Sequence, residues 1–153
     1  GAESAFKQAQ TVFKHYAKQS TLLGDVGSGQ TCKMVNQLCI AGVLQGLSEG
    51  LTLAQKAGLD LVQVRDVLKH GAAQSWQLEQ RTHTIAKDEF DFGFAIDLMR
   101  KDLNISIQQA EQLGLSLPLA NMVDDAYQQL QQQGHNRNDT SVLIKATQQQ
   151  LFT

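Results

Sequence analysis

The chain has 153 residues, of which 42% are hydrophobic and 18% charged, enough for one domain with a single core. A formal net charge of −2 and a pI near 6.1 give no electrostatic case for nucleic acid or an anionic membrane as a partner. No stretch carries the roughly 18 uninterrupted apolar residues of a transmembrane helix, and no basic segment followed by an apolar block marks a signal peptide.

The first element expected is an amphipathic helix from about Glu3 to Lys18, because Phe6, Ala9, Val12, Phe13, Tyr16 and Ala17 recur at helical spacing. Thr21-Leu22-Leu23 is the one plausible strand. The turn GDVGSGQTCK, Gly24 to Lys33, then leads into a long helix from Gln30 to about Ala57. That helix is apolar over most of its circumference, so it is expected to be buried, spanning about 40 Å and ending at Gly58. Cys32 and Cys39 lie about 10 Å apart along it, too far for a disulfide, and are read as small buried residues. Asp60 is expected to cap a short helix through Leu61, Val64, Val67 and Leu68, and Ser75 another carrying Trp76 and Leu78. His83 to Gly93 reads as irregular, with alternating Phe90, Phe92 and Phe94 as a short extended edge. Helices follow from Ile96 to Leu113, from Pro118 to Gly134, and after Asp139. The expected fold is all-α, a helical bundle around one long central helix.

The glycine-rich turn fits neither of two phosphate-binding motifs. A Walker A loop places lysine directly after its second glycine, but Gln30 follows Gly29 and Lys33 lies a helical turn deeper. A dinucleotide fingerprint needs a third glycine where Cys32 stands and a second strand before the ribose-reading acid, and neither is present. What remains is a turn that sets Lys33 early on a helix, with Asn36 and Gln37 on the same face at i+3 and i+4. Spacing leaves two readings of Lys33 open. It is a snorkelling lysine whose stem packs on apolar surface, or an acid/base whose pKa burial lowers. The four histidines sit on different elements without ligand spacing, so no metal site is expected.

Taken together, GDVGSGQTCK from Gly24, SEGLTLAQKAGLD from Ser48 and FDFGFAIDLMRKDL from Phe90 resemble three successive blocks of the β-hydroxyacid dehydrogenases. This is the family of 3-hydroxyisobutyrate dehydrogenase and tartronate semialdehyde reductase. Leu117-Pro118 and Asp139-Thr140-Ser141 are similar to its weaker later signatures. The resemblance implies the C-terminal domain of a 6-phosphogluconate-dehydrogenase-like enzyme. Residues 1–26 would be the tail of an N-terminal Rossmann domain, and residues 27–153 a substrate-binding and dimerisation domain. It implies reversible hydride transfer between NAD or NADP and a small β-hydroxyacid. Lys33 would be the catalytic acid/base, Asn36 and Gln37 substrate-holding amides, and Lys101 and Phe94 cofactor contacts. Gln37 departs from the family's asparagine at that position. A start without methionine, and the lack of the cofactor fingerprint, imply a piece of a longer protein, inactive alone. Its expected partners are its own Rossmann domain and further copies, as a dimer or tetramer, in the cytoplasm. The alternative is a helical dimerisation module without catalysis. Trp76 is expected in a core or interface, and Asp102 to cap or pair on its own helix.

Overall fold

The computed structural model describes residues 1–152. Their helices, in chain order, are α1 (Glu3–Phe13), α2 (Ser28–Lys56), α3 (Leu61–Leu68), α4 (Trp76–Ala86), α5 (Ile96–Gln112) and α6 (Pro118–Gln132). A 3₁₀ turn, Thr140–Val142, then feeds α7 (Leu143–Gln148). There is no strand among the described residues, only an isolated antiparallel bridge between Ala95 and Asp139. None of these helices is long and apolar enough to cross a membrane. The contacts divide the chain into two compact units, Gly1–Asn36 and the part from Gln37 onward.

The first unit has no buried residue. Its helix α1 stops at Phe13, short of the expected Lys18. Past that point the amides of His15 and Tyr16 reach back only three residues, to the carbonyls of Val12 and Phe13. Such i→i+3 bonds tighten a last turn without extending it. Thr21-Leu22-Leu23 forms no strand, because a strand needs a neighbour for its ladder and the unit supplies none. The Gly-rich turn runs directly into α2, whose first turn is tightened by Thr31 Oγ1 donating to the Gly27 carbonyl at 3.3 Å.

From Gln37 onward the chain builds a dense core. Ile96, Met99 and Leu103 of α5 are fully buried, as are Val123, Tyr127 and Leu130 of α6 and Val142 and Leu143 at the C-terminal end. The amphipathic spacing of α5 and α6 places these side chains on the facing sides of the two helices. Arg100 links them at the rim. Its Nε and Nη2 donate to Asp124 Oδ1 and Oδ2, both at 2.9 Å. That fork of hydrogen bonds holds the guanidinium pKa above its ordinary value. Tyr127 Oη donates to the Thr140 carbonyl at 2.8 Å, and burial, with the Asp139 charge as a smaller cause, pushes its phenol pKa well up.

The helix α2 runs as expected but is not buried on all sides. Gln37, Ala41, Leu44, Gln45, Ser48, Leu51 and Ala54 form one buried stripe at i, i+3 and i+4 steps, while Val35, Val43 and Leu53 are exposed. Helices of this chain cover one side of α2, so apolar composition alone overstates its burial. Cys32 and Cys39 are exposed, contrary to expectation, because neither lies on that stripe. The end of α2 follows the expected pattern. Gly58 has φ +76°, and the Leu59 amide reaches the Ala54 carbonyl at 2.9 Å, a Schellman closure that only a residue tolerant of the left-handed region makes cheaply. Asp60 accepts from the Gln63 amide at 2.8 Å and Ser75 from the Leu78 amide at 3.0 Å, capping α3 and α4 as read from sequence. One stretch read as irregular is partly helical, since α4 continues through His83 to Ala86. Thr82 and Thr84, poor helix formers on average, return their hydroxyls to the carbonyls of Leu78 and Arg81 and so stay within the helix.

Candidate active site

In the unit that begins at Gln37, five sequence segments meet around a small cavity. They are the start of that unit on α2, the N-terminal half of α4, the loop of Phe90 to Ala95, Met99 of α5, and Asp139 with Thr140. The cavity has a volume of about 250 Å³, and Gln37, Trp76, Gln77, Arg81, Phe94 and Asp139 are among its walls.

Asp139 organises one wall. It is fully buried, and each of its oxygens is engaged. Oδ2 accepts from the Phe94 amide at 3.0 Å. Oδ1 accepts from the Ser141 amide at 3.1 Å and the Ser141 hydroxyl at 2.7 Å, and it lies 3.0 Å from Arg81 Nε. A buried carboxylate is tolerated when paired and hydrogen-bonded in this way. The Arg81 guanidinium in turn lies 4.6 Å from the Trp76 ring centre and 5.0 Å from that of Phe92. Both distances suit cation–π attraction. The close approach explains the glycine of the FDFGF block. Gly93 has φ +70°, and a Cβ there would lie 1.9 Å from Asp139 Oδ2. Only a residue without a side chain lets the loop hand its next amide, that of Phe94, to this carboxylate.

A second chain of contacts joins three helical residues. Gln37 is buried, and its Nε2 donates to Asp102 Oδ2 at 2.8 Å, with Met99 Sδ at 3.7 Å. The other oxygen of Asp102 pairs with Lys101 Nζ at 3.0 Å. The Lys101 side chain is 57% exposed and that of Asp102 only 7%. The carboxylate is therefore an anchored bridge, holding an amide of α2 on one side and a solvent-facing ammonium of α5 on the other.

Of the residues singled out from sequence, the structure thus brings Gln37, Phe94 and Lys101 into one neighbourhood through Asp102 and the cavity. Lys33 and Asn36 belong to the other unit, and both are exposed, so the burial expected around Lys33 is not provided by the described residues. Asp102 does pair on its own helix, as expected, and also receives Gln37 from α2. Trp76 is 59% exposed and packs on Arg81 rather than in the core. Gln77, Arg81 and the many-sided role of Asp139 went unread. Asp139 was legible only as a helix cap, and nothing near Arg81 in sequence signals its aromatic sandwich. The glycine of FDFGF was the one available hint of a close approach.

The chain itself belongs to a known family. Residues 27–147 match the family described as NAD-binding of NADP-dependent 3-hydroxyisobutyrate dehydrogenase, and the chain is a member of it. It is 50% identical over 144 residues to an uncharacterized oxidoreductase of Shewanella frigidimarina (strain NCIMB 400), covering 94% of this chain and 50% of that one. It is 38% identical over 146 residues to 2-hydroxy-3-oxopropionate reductase of Escherichia coli (strain K12), covering 95% of this chain and 50% of the relative. The solved structure of 3-hydroxyisobutyrate dehydrogenase from Salmonella typhimurium superposes with a TM-score of 0.85 at 31% identity, over 95% of this chain and 51% of that one. The chain spans about half the length of the curated relatives it matches.

Proposed function

We propose that this chain is the helical, substrate-holding part of an NAD(P)-dependent oxidoreductase that interconverts a small β-hydroxyacid and its carbonyl form. Family membership and the names borne by its relatives support the reaction class. The observation that carries the reading to particular residues is the Gln37–Asp102–Lys101 linkage. A purely structural helix pair has no need to bury an amide and a carboxylate against each other beside a cavity.

The cavity of about 250 Å³ suits a three- or four-carbon acid and is too small for a dinucleotide. This chain accordingly fits an NAD(P) cofactor at its edge. Lys101, exposed yet tethered by Asp102, and the half-exposed ring of Phe94 are the groups that would touch it. The bound nicotinamide supplies or accepts the hydride. The chain's own residues do the rest. Lys33 Nζ gives a proton to the substrate oxygen on reduction and takes it back on oxidation, a contribution on the order of 10²–10⁴ in rate. Asn36 and Gln37 hold the oxygen in line with that proton, and the bond from Gln37 to Asp102 fixes the amide plane before substrate arrives. The pyrophosphate cradle and the remaining substrate contacts are assigned to a dinucleotide-binding domain of the same protein. A further copy of the chain is assigned to the exposed apolar residues of α2, such as Val43 and Leu53.

The test uses the complete protein, a panel of small hydroxyacids and both cofactors. Turnover by the wild type and its loss in Lys33→Ala, with an unchanged circular dichroism spectrum, is the expected result. In Lys101→Ala the KM for the cofactor rises more than the KM for the acid. Undiminished turnover in Lys33→Ala would remove the assigned role. A monomeric elution profile at micromolar concentration would remove the self-association.

A further inference from the structure

Two arginines of this chain are each paired with an aspartate, and they are used differently. Arg100 commits all three of its nitrogens, Nε and Nη2 to Asp124 and Nη1 to Gln131. Arg81, on the wall of the cavity beside Gln37, commits none to a hydrogen bond among the described residues. Its Nε lies 3.0 Å from Asp139 Oδ1, so the charge is met, yet that nitrogen is buried without donating a hydrogen bond. Nη1 and Nη2 are not sealed from solvent as Nε is, and the side chain keeps 16% exposure. The rings of Trp76 and Phe92, 4.6 and 5.0 Å from the guanidinium carbon, hold the group in place without accepting its N–H bonds. A Cβ on Gly93 would lie 3.3 Å from Nη2, so the glycine also keeps space beside the free end of the fork. A largely enclosed guanidinium with unmet N–H bonds is costly, and the acceptor that fits its fork is one with two oxygens in a plane.

We propose that Arg81 binds a carboxylate through Nη1 and Nη2, and that this carboxylate is the acid group of the substrate. The proposal rests on the dehydrogenase reading above. In a three-carbon β-hydroxyacid the carboxylate is carbon 1 and the reacting oxygen is on carbon 3. With that oxygen held at Gln37, the acid group lies two carbon–carbon bonds away in the same cavity, and Arg81 is the cation of its described wall. Asp139 approaches from the Nε side, which leaves the two parallel N–H bonds of the fork for the substrate. The domain therefore holds the acid at both ends. It distinguishes an acid from a neutral molecule of the same shape, because only the charged group repays the enclosure of the guanidinium.

The experiment uses the complete protein and two probes of one shape, 3-hydroxypropanoate and its neutral amide, 3-hydroxypropanamide. The wild type is expected to favour the acid. In Arg81→Met, kcat/KM for the acid falls by about 10–100-fold, mostly through KM, while that for the amide changes little. Arg81→Lys keeps a charge beside Asp139 but loses the fork, and its acid preference lies between the two. An arginine that only supports the fold would cost both probes alike, so equal losses overturn the proposal, as does an acid preference that survives in Arg81→Met. Should Arg81→Met fail to fold, the same comparison is made on Arg81→Lys, where an undiminished preference overturns it. Binding is read separately through Trp76, the only tryptophan of this chain, with Trp76→Phe identifying its emission. If neither probe is turned over, the carboxylate site stands on an emission change produced by the acid, not by the amide, and weakened in Arg81→Lys. It falls without one, whereas the dehydrogenase reading is decided by the wider hydroxyacid panel.

Discussion

Two helices of this protein look alike in sequence and differ in the structure. α1 and α6 each alternate apolar and polar residues at helical spacing. Yet α1 has no buried residue and its Val12 is 56% exposed, whereas α6 buries six residues, three of them completely. The same contrast separates the units, with no buried side chain before Gln37 and a continuous core after it. An amphipathic pattern states that a helix has a side to cover. It does not state that the same stretch of chain provides the cover. The region that carries the proposed acid/base is thus the one with least packing of its own, and its substitutions should register in activity and barely in stability.

The largest expected effect tests that directly. Lys33→Ala should lower turnover of the complete protein on the order of 10²–10⁴-fold. Its midpoint of thermal unfolding should stay close to that of the wild type, because the side chain is exposed. A large drop in melting temperature would erase the distinction between the units.

Next comes a pair of apolar truncations measured by urea denaturation. Leu130→Ala removes a fully buried side chain and should cost about 2–5 kcal/mol, whereas Val12→Ala should change stability by no more than about 0.5 kcal/mol. A pair of glycines sharpens the same contrast. Gly93→Ala would drive its Cβ into the Asp139 carboxylate and disturb the buried pair with Arg81, at a cost of about 3 kcal/mol. Gly27 also has positive φ but open space around the position of a Cβ, so Gly27→Ala should cost only the backbone strain, about 1–2 kcal/mol. Equal losses in the two would mean that backbone conformation, not the Asp139 contact, sets the requirement at Gly93.

The smallest effect is in pH dependence and belongs to the core alone. Tyr127 has its pKa raised in the folded protein by burial, so folding favours the protonated phenol. Its contribution is fully present below the unfolded value near pH 10 and is lost as pH rises from there through the folded value. Tyr127→Phe gives up the bond to the Thr140 carbonyl, costing about 1 kcal/mol near neutrality, and should show a shallower fall in stability above about pH 10. Parallel stability curves for the two proteins in that range would show that some other group drives the alkaline loss.

Much of this architecture was legible from residues that act locally. Asp60 and Ser75 cap their helices, Gly58, Gly114 and Gly134 end theirs, and Pro118 opens α6, because caps and stops depend on side chains within a few positions. The partners of the site were less legible. Gln37 and Asp102 are 65 positions apart and Arg81 and Asp139 are 58 apart. Asp139 could be read as a cap from its neighbour Ser141, but no nearby residue indicates that it also holds the Phe94 amide and Arg81.

The sequence alone determined that the chain is helical, where most of its helices begin and end, and which family blocks it carries. These follow from periodicity and from short-range hydrogen bonding, and both are written in consecutive residues. Only the tertiary structure decided which side of α2 is covered, that Asp102 bridges an amide and a lysine, and that Asp139 holds both Arg81 and the Phe94 amide. Those outcomes depend on which distant side chains arrive together, and on whether burial leaves each polar group a partner.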